Sequence, residues 1–278
     1  MKLGIINTYF KDPITKKPDY PKMKQMGFTC ADYQQLCDTN GSYYHMEEAD
    51  FRLAMEQQKA EANAAGVAIH QVHGPWPVDD TSAEKREANL EYYKLCVRGC
   101  AYLGSKYLIM HPVMPYGWGA EEDADWVDEV NADFIRKLTD YARPFGVTIC
   151  LENMPFKLHR LSHVPEVVKF VKAMNIDNLG ICYDTGHGNL YGDDAGDLVR
   201  QCGNLLLTLH VHDNCGQSDE HQMPYLGTIH WDSFLQGLKD IGYTGCMSLE
   251  NVIRGNCPAE LIPTMEELLI RVTKLLTA

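Results

Sequence analysis

The chain has 278 residues, of which 45% are hydrophobic and 23% are charged, and its formal net charge is −13 at pH 7. This length and apolar content suffice for a complete core, and no low-complexity linker divides the chain, so we expect residues 1–278 to form one domain. The negative charge argues against a large nucleic-acid surface, because phosphate binding relies on clustered Lys and Arg. No apolar run reaches membrane-spanning length.

Eight short apolar runs, bounded by polar or turn residues, predict buried strands at 2–7, 27–32, 67–73, 106–111, 147–152, 179–184, 205–210 and 246–250. Longer amphipathic stretches predict helices at 47–65, 82–103, 123–145, 165–174 and 231–241. This alternation, in a chain of this length, favours an α/β fold, the single-domain (β/α)8 TIM barrel. An open doubly wound sheet also alternates strand and helix, but it would spread the strand ends along a line.

Metal-capable side chains stand at or just past the ends of six of these strands. They are His73, His111, Glu152, Asp184, His187, His210, Asp219, His221 and Glu250. In a (β/α)8 barrel the carboxyl ends of the strands form the active face. We therefore expect these acidic and imidazole groups to form one site.

Two motifs leave alternatives open. In the segment Asp184-Thr-Gly-His187, the glycine allows tight backbone geometry between a carboxylate and an imidazole. The alternative is that Asp184 only caps a helix and His187 is solvated. Period-two alternation sends His210 and His212 to the same side of their strand, and we favour His210 as the ligand with His212 as its neighbour.

Glu152 and Glu250 end two apolar strands. A buried, unpaired glutamate is costly, so each should bind a cation or have a raised pKa, unless both form structural salt bridges. Two carboxylates that flank one substrate could remove a proton from one face and return it to the other. A set of Glu, Asp, His and Glu suits a divalent ion, with Mn²⁺ or Zn²⁺ favoured and Mg²⁺ or Co²⁺ possible.

Several segments carry a resemblance to a known family, namely residues 71–76, 180–187, 210–221, 226–231 and 242–250. The chain resembles the xylose isomerase-like TIM barrels, which include sugar phosphate isomerases and epimerases, ketose 3-epimerases, inosose dehydratase-like proteins and endonuclease IV. The resemblance to ketose 3-epimerases implies that Glu152, Asp184, His210 and Glu250 hold one metal ion, that Glu152 and Glu250 are the catalytic acid-base pair, and that His187 contacts the sugar.

The implied enzyme is a metal-dependent isomerase or epimerase of a sugar, sugar phosphate or inositol-type substrate. It would work by proton transfer through a metal-bound enediolate. Return of the proton to the same carbon inverts that carbon, and return to the neighbouring carbon isomerises the sugar. Loss of a hydroxyl from the same enediolate would instead make the enzyme an inosose dehydratase-like lyase.

The resemblance also carries a competing interpretation. Gly216 stands where ketose 3-epimerases have an arginine for substrate oxygens. The further positions His73, His111, His187, Asp219 and His221 complete the pattern with which endonuclease IV holds three zinc ions. These five residues are therefore candidates for additional metal ions or for substrate hydroxyls. The loops after His73 and Glu152 are more similar to those of the sugar enzymes, and a non-catalytic binding protein would not need paired glutamates.

Three loop residues are candidates for substrate binding. Trp76 and Trp118 could stack on a sugar, or simply pack within their loops, and Arg254 could bind a phosphate or pair with a carboxylate. The ten cysteines include no C-x-x-C pair, which indicates a reducing compartment, and the N-terminal apolar run is too short for a signal peptide. We expect a cytoplasmic protein that acts on a small sugar, has no nucleic-acid or membrane partners and can form a homo-oligomer.

Overall fold

The structure is a computed structural model that describes residues 1–12, 14–117, 122–251 and 257–277. Eight parallel strands form one sheet: β1 (Lys2–Ile6), β2 (Cys30–Tyr33), β3 (Ala68–His73), β4 (Tyr107–Met110), β5 (Thr148–Glu152), β6 (Leu179–Asp184), β7 (Leu206–His210) and β8 (Cys246–Leu249). Their hydrogen-bonded order is β7-β6-β5-β4-β3-β2-β1-β8. Just past β7, the Val211 amide donates to the Ser248 carbonyl at 2.8 Å, and the Glu250 amide donates to the Val211 carbonyl at 3.0 Å. These bonds bring the two edge strands together, and the predicted (β/α)8 barrel is confirmed.

The helices lie between the strands, as the alternating pattern predicts. They are α1 (Tyr20–Gln25), α2 (Glu48–Ala64), α3 (Ala83–Leu103), α4 (Ala124–Ala142), α5 (Val164–Met174), α6 (Thr185–Asn189), α7 (Ala195–Cys202), α8 (Trp231–Asp240) and α9 (Ile262–Thr277), with short 3₁₀ turns at 42–45, 143–145, 203–205 and 259–261. The five predicted helices are α2, α3, α4, α5 and α8. Ser82 and Asp123 cap α3 and α4 by accepting backbone N–H bonds, which explains why those two helices begin where the sequence predicts.

Strand boundaries differ slightly from the predicted ones. Asn7, His111 and Glu250 lie one residue beyond β1, β4 and β8. Strand β2 begins at Cys30 instead of residue 27, because Gly27 has a φ of 95°, a left-handed conformation that belongs to the turn after α1. All ten cysteines lie in the described ranges and are free thiols. Within those ranges, no helix has the length and apolar composition needed to cross a membrane.

An irregularity in the pairing of β6 with β7 positions the site. Ile181 pairs with Leu206, but the register shifts by one residue before Cys182, so that Asp184 lies directly opposite His210. Without this shift, His210 would not face the carboxylate across the ladder. Bulges of this kind re-aim side chains near active sites.

Candidate active site

The carboxyl ends of the strands surround a cavity of about 320 Å³. Seven of the nine predicted metal-capable residues line it: His73, His111, Glu152, His187, Asp219, His221 and Glu250. The other two, Asp184 and His210, are fully buried and belong to the same cluster of donor groups. The structure therefore brings all nine residues together, although they come from six strand ends and from the loop after β7.

Glu152, Asp184, His210 and Glu250 form the centre of the cluster. One potential ligand atom from each residue lies within 4.8 Å of those of the others. His210 Nδ1 is 2.8 Å from Glu152 Oε1 and 3.3 Å from Glu250 Oε2. The second oxygen of Glu152 is buried and faces His111. A compact set of three carboxylates and one imidazole fits a divalent ion such as Mn²⁺ or Zn²⁺.

Two further donor groups flank this centre. His73 and His111 form one of them with Glu152, whose Oε2 lies 3.7 Å from His73 Nε2 and 3.2 Å from His111 Nε2. The other consists of His187, His212, Asp219 and His221. Asp219 Oδ2 lies 3.3 Å from His187 Nε2 and 3.1 Å from His221 Nε2. The first flanking group shares Glu152 with the centre, so the cluster is continuous from one side of the mouth to the other.

The electrostatics of the cluster attract positive charge. Burial by itself would raise the pKa of Glu152, but the imidazoles of His210 and His111 hold it well below its usual range. Burial would likewise lower the pKa of His187, but the carboxylates of Asp184 and Asp219 raise it to about 10. Closely packed carboxylates require such compensation, which protonated imidazoles or a metal cation can provide.

Asp184 combines two of the roles that the sequence presented as alternatives. Its Oδ1 accepts the His187 backbone N–H at 2.6 Å and caps α6, while its Oδ2 lies 3.0 Å from Nε2 of His212. The side-chain amide of Asn153 donates to the Asp184 carbonyl and accepts the Asp184 N–H, and these two bonds fix the backbone of Asp184. Capping the helix and facing the cluster are therefore compatible for this residue.

Comparison with known proteins gives the family. A family model described as "Xylose isomerase-like TIM barrel" matches residues 21–268. The chain belongs to this family. It is 33% identical over 258 residues to the uncharacterized protein MJ1311 of Methanocaldococcus jannaschii, covering 90% of this chain and 84% of that protein. It is 26% identical over 264 residues to a D-psicose 3-epimerase of Agrobacterium fabrum, covering 91% and 86%. A solved structure of an IOLI protein with a binding zinc atom superposes with a TM-score of 0.77, at 19% identity, over 100% of this chain and 96% of that one.

In this xylose isomerase-like barrel, apolar side chains form one wall of the cavity. Trp76 packs edge-on against His111, with ring centroids 4.4 Å apart, and Phe156 lies 6.3 Å from Trp76 at a tilt. Met154 and Pro155 complete this wall. Trp76 was expected from the sequence to contact substrate, whereas Phe156, in the loop after Glu152, was not. The other two substrate-binding candidates, Trp118 and Arg254, lie outside the described residues.

Other residues that were not expected from the sequence hold the cluster in place. Asp32 Oδ2 lies 2.8 Å from His210 Nε2, and Gln34 Nε2 donates to Glu250 Oε1 at 2.5 Å. The available signal was a charged residue at the end of a predicted strand, but Asp32 was used only to mark that strand. His212 is fully buried beside Asp184, in keeping with its interpretation as a neighbour of the ligands.

The role of Gly186 differs from the one that the sequence suggested. It lies inside α6 and is not among the glycines with positive φ, so tight backbone geometry does not require it. The ring of His212 packs directly on its Cα. A Cβ at this position would lie 2.0 Å from Cε1 of that ring. The glycine is therefore needed for the space it leaves to His212.

Proposed function

We propose that this chain is a divalent-metal-dependent isomerase or epimerase of ketose-type sugars, with Glu152 and Glu250 as its acid-base pair. The observation that carries this proposal is the pair of carboxylates beside His210, where oxygens of Glu152 and Glu250 lie 2.8 and 3.3 Å from the same Nδ1 atom. Both glutamates also line the cavity into which a sugar would bind. The similarity to a D-psicose 3-epimerase supports the substrate class.

Glu152, Asp184, His210 and Glu250 would hold the ion, and the zinc atom named for the IOLI protein supports a metal in this family. A divalent ion bound there would supply Lewis-acid polarisation of the substrate carbonyl. One glutamate removes the proton from the carbon next to that carbonyl, and the C–H electron pair forms the double bond of an enediolate. The other glutamate returns a proton to the opposite face and inverts the carbon. Return to the former carbonyl carbon would instead move the carbonyl to the neighbouring carbon, which converts a ketose into an aldose when that neighbour is the terminal carbon.

The two glutamates have different surroundings, which suits two different tasks. Glu152 is 1% exposed and lies among the imidazoles of His73, His111 and His210. The Glu250 side chain is 12% exposed, and the amide of Gln34 holds its Oε1. After one inversion, the glutamate that took the substrate proton carries it and the other glutamate has lost its own, so both must exchange protons with water before the inversion can repeat. Exchange is easier at the partly exposed Glu250 than at the buried Glu152, and we expect solvent hydrogen to enter the product mainly through Glu250.

The apolar wall orients the substrate. Trp76 and Phe156 line the same cavity as Glu152 and Glu250, and aromatic rings can stack on the C–H face of a sugar ring or chain. Trp118 and Arg254 remain candidates for further substrate contacts. Loss of a hydroxyl from the same enediolate would make the enzyme an inosose dehydratase-like lyase, so inososes belong among the substrates to be tested.

The test combines metal analysis with turnover in D₂O. The purified protein is assayed with a panel of ketoses and inososes, and the product is examined for deuterium at the inverted or neighbouring carbon. Glu152→Gln and Glu250→Gln should each lower kcat by about 10²–10⁴-fold, the usual contribution of an acid or base. Glu91→Gln, an exposed change on α3, is the matched control and should leave kcat unchanged. Full activity of both site variants, or product without deuterium, would contradict the mechanism.

A second candidate function is that of a multi-zinc phosphodiesterase resembling endonuclease IV. The observation that favours it is the pair of flanking donor groups, His73 with His111 and the group of His187, Asp219 and His221. Metal analysis separates the two candidates, because the isomerase needs about one ion per chain and the phosphodiesterase two or three. If two or three zinc ions are found, cleavage of an oligonucleotide with an abasic site becomes the deciding assay.

A further inference from the structure

Asp32 is a fully buried carboxylate behind the donor groups of the site. It lies on β2, and its Oδ2 is 2.8 Å from Nε2 of His210, a residue 178 positions away in the sequence. His210 is also fully buried, and its other nitrogen, Nδ1, faces Glu152 and Glu250. The imidazole therefore stands between a carboxylate behind it and the carboxylates of the site in front of it.

The backbone of β2 is shaped to place Asp32 there. Ala31 pairs with Ile69, but the register shifts before the next residue, so that Asp32 lies opposite Gln71 instead of His70. The Gln71 amide donates to Asp32 Oδ2 at 3.1 Å and to the Leu209 carbonyl at 3.2 Å. Gln71 thus ties the Asp32 carboxylate to the strand that carries His210. A shift in strand register and the burial of a polar amide both cost free energy of folding. Such costs are expected where the orientation of the Asp32 carboxylate matters.

Asp32 has little to gain structurally from this position. Its second oxygen, Oδ1, is buried and has no hydrogen-bond partner among the described residues. A buried carboxylate that is only partly satisfied destabilises a fold more than a neutral side chain of the same size would. The arrangement is explained if the carboxylate acts on His210.

We propose that Asp32 is a positioning residue, which accepts the Nε2–H of His210 and so fixes the tautomer whose Nδ1 lone pair faces Glu152, Asp184 and Glu250. This inference rests on the metal site in the proposed function. A carboxylate behind a histidine ligand orients the ring and increases its basicity toward a metal. Gln71 assists by keeping Asp32 Oδ2 aimed at the ring.

The experiment is a calorimetric titration of the metal-free protein with Mn²⁺ and with Zn²⁺. Asp32→Asn keeps the shape of the side chain but removes its charge, and it should raise the metal Kd by about 10- to 100-fold. Thr208→Val is the matched control. Thr208 is fully buried on β7, two residues before His210, and its hydroxyl lies beside the thiols of Cys150 and Cys182. This control should leave the Kd unchanged.

Thermal unfolding of the metal-free proteins separates positioning from structural support. We expect Asp32→Asn to unfold at the wild-type temperature or above it, since the change removes a buried charge, while its metal Kd rises. An unchanged Kd in Asp32→Asn would overturn the inference. If Asp32→Asn does not fold, the same metal titration is made with Gln71→Leu. A metal Kd raised several-fold in that variant supports the positioning role of Asp32, and an unchanged Kd overturns it. Failure of the wild-type protein to bind either ion would instead overturn the proposed function itself, and this inference with it.

Discussion

Replacing Gly186 with alanine would place a methyl carbon 2.0 Å from Cε1 and 2.4 Å from Nδ1 of the His212 ring. The ring has little room to move, because it is fully buried and stacks on His221 with centroids 4.0 Å apart. Its Nε2 also lies 3.0 Å from Asp184 Oδ2. Relieving the overlap must therefore displace the ring from both neighbours.

The expected loss can be estimated from these contacts. Overpacking a buried site costs about 1–3 kcal/mol, and losing a buried hydrogen bond to a carboxylate costs about 1.5–3 kcal/mol. The two costs overlap, since one shift of the ring relieves the strain while breaking the bond. We expect Gly186→Ala to lower the free energy of unfolding by about 2–4 kcal/mol, measured by urea denaturation of the metal-free protein.

A double-mutant cycle with His212→Ala tests the cause. Without the imidazole, the three atoms nearest to the added methyl group are gone, and alanine is favoured over glycine inside a helix by about 0.5–1 kcal/mol. Gly186→Ala should therefore be neutral or slightly stabilising in the His212→Ala background, although it is strongly destabilising in the wild type. An equal loss of stability in both backgrounds would refute the argument that Gly186 exists to make room for His212.

Two further predictions concern residues outside the cluster. His159 is 5% exposed, and burial lowers its pKa from 6.5 to about 4. Between these two pH values the imidazole is neutral in the folded protein but protonated in the unfolded chain. The free energy of unfolding should therefore fall as the pH drops from about 6.5 to about 4. This residue contributes about 2–3 kcal/mol to that fall. Urea unfolding at about pH 7 and about pH 4.5 should show a smaller fall in His159→Gln, and parallel falls would contradict the assignment. In α7, a Cβ on Gly196 would lie 2.2 Å from the Ser233 carbonyl oxygen of α8, so Gly196→Ala should cost about 1–3 kcal/mol or more. Gln201→Ala, on the exposed face of α7, is the control for that denaturation measurement. Equal stability of the two variants would show that α7 and α8 can move apart without loss of stability, and would contradict the prediction.

Local sequence patterns were enough to predict the fold class and the chemistry available at the mouth of the barrel. Apolar runs alternating with amphipathic stretches are local patterns, and they identified all eight strands and five of the helices. The identity of the residue that ends each strand is also local. For that reason Glu152, Asp184, His210 and Glu250 could be named together before any distance between them was known.

How these residues group, and which side chains hold them in place, depends on the assembled barrel. The contact of Asp32 with His210 joins strands on different parts of the barrel and depends on closure of the sheet. The register shifts before Asp32 and before Cys182 have no signature in the pattern of apolar residues, yet they decide which side chains face each other across the ladder. The need for Gly186 arises from the ring of His212, which lies two residues past the end of β7. Sequence periodicity shows on which side of a strand a residue lies, whereas its partner depends on register and packing, which are properties of the assembled barrel.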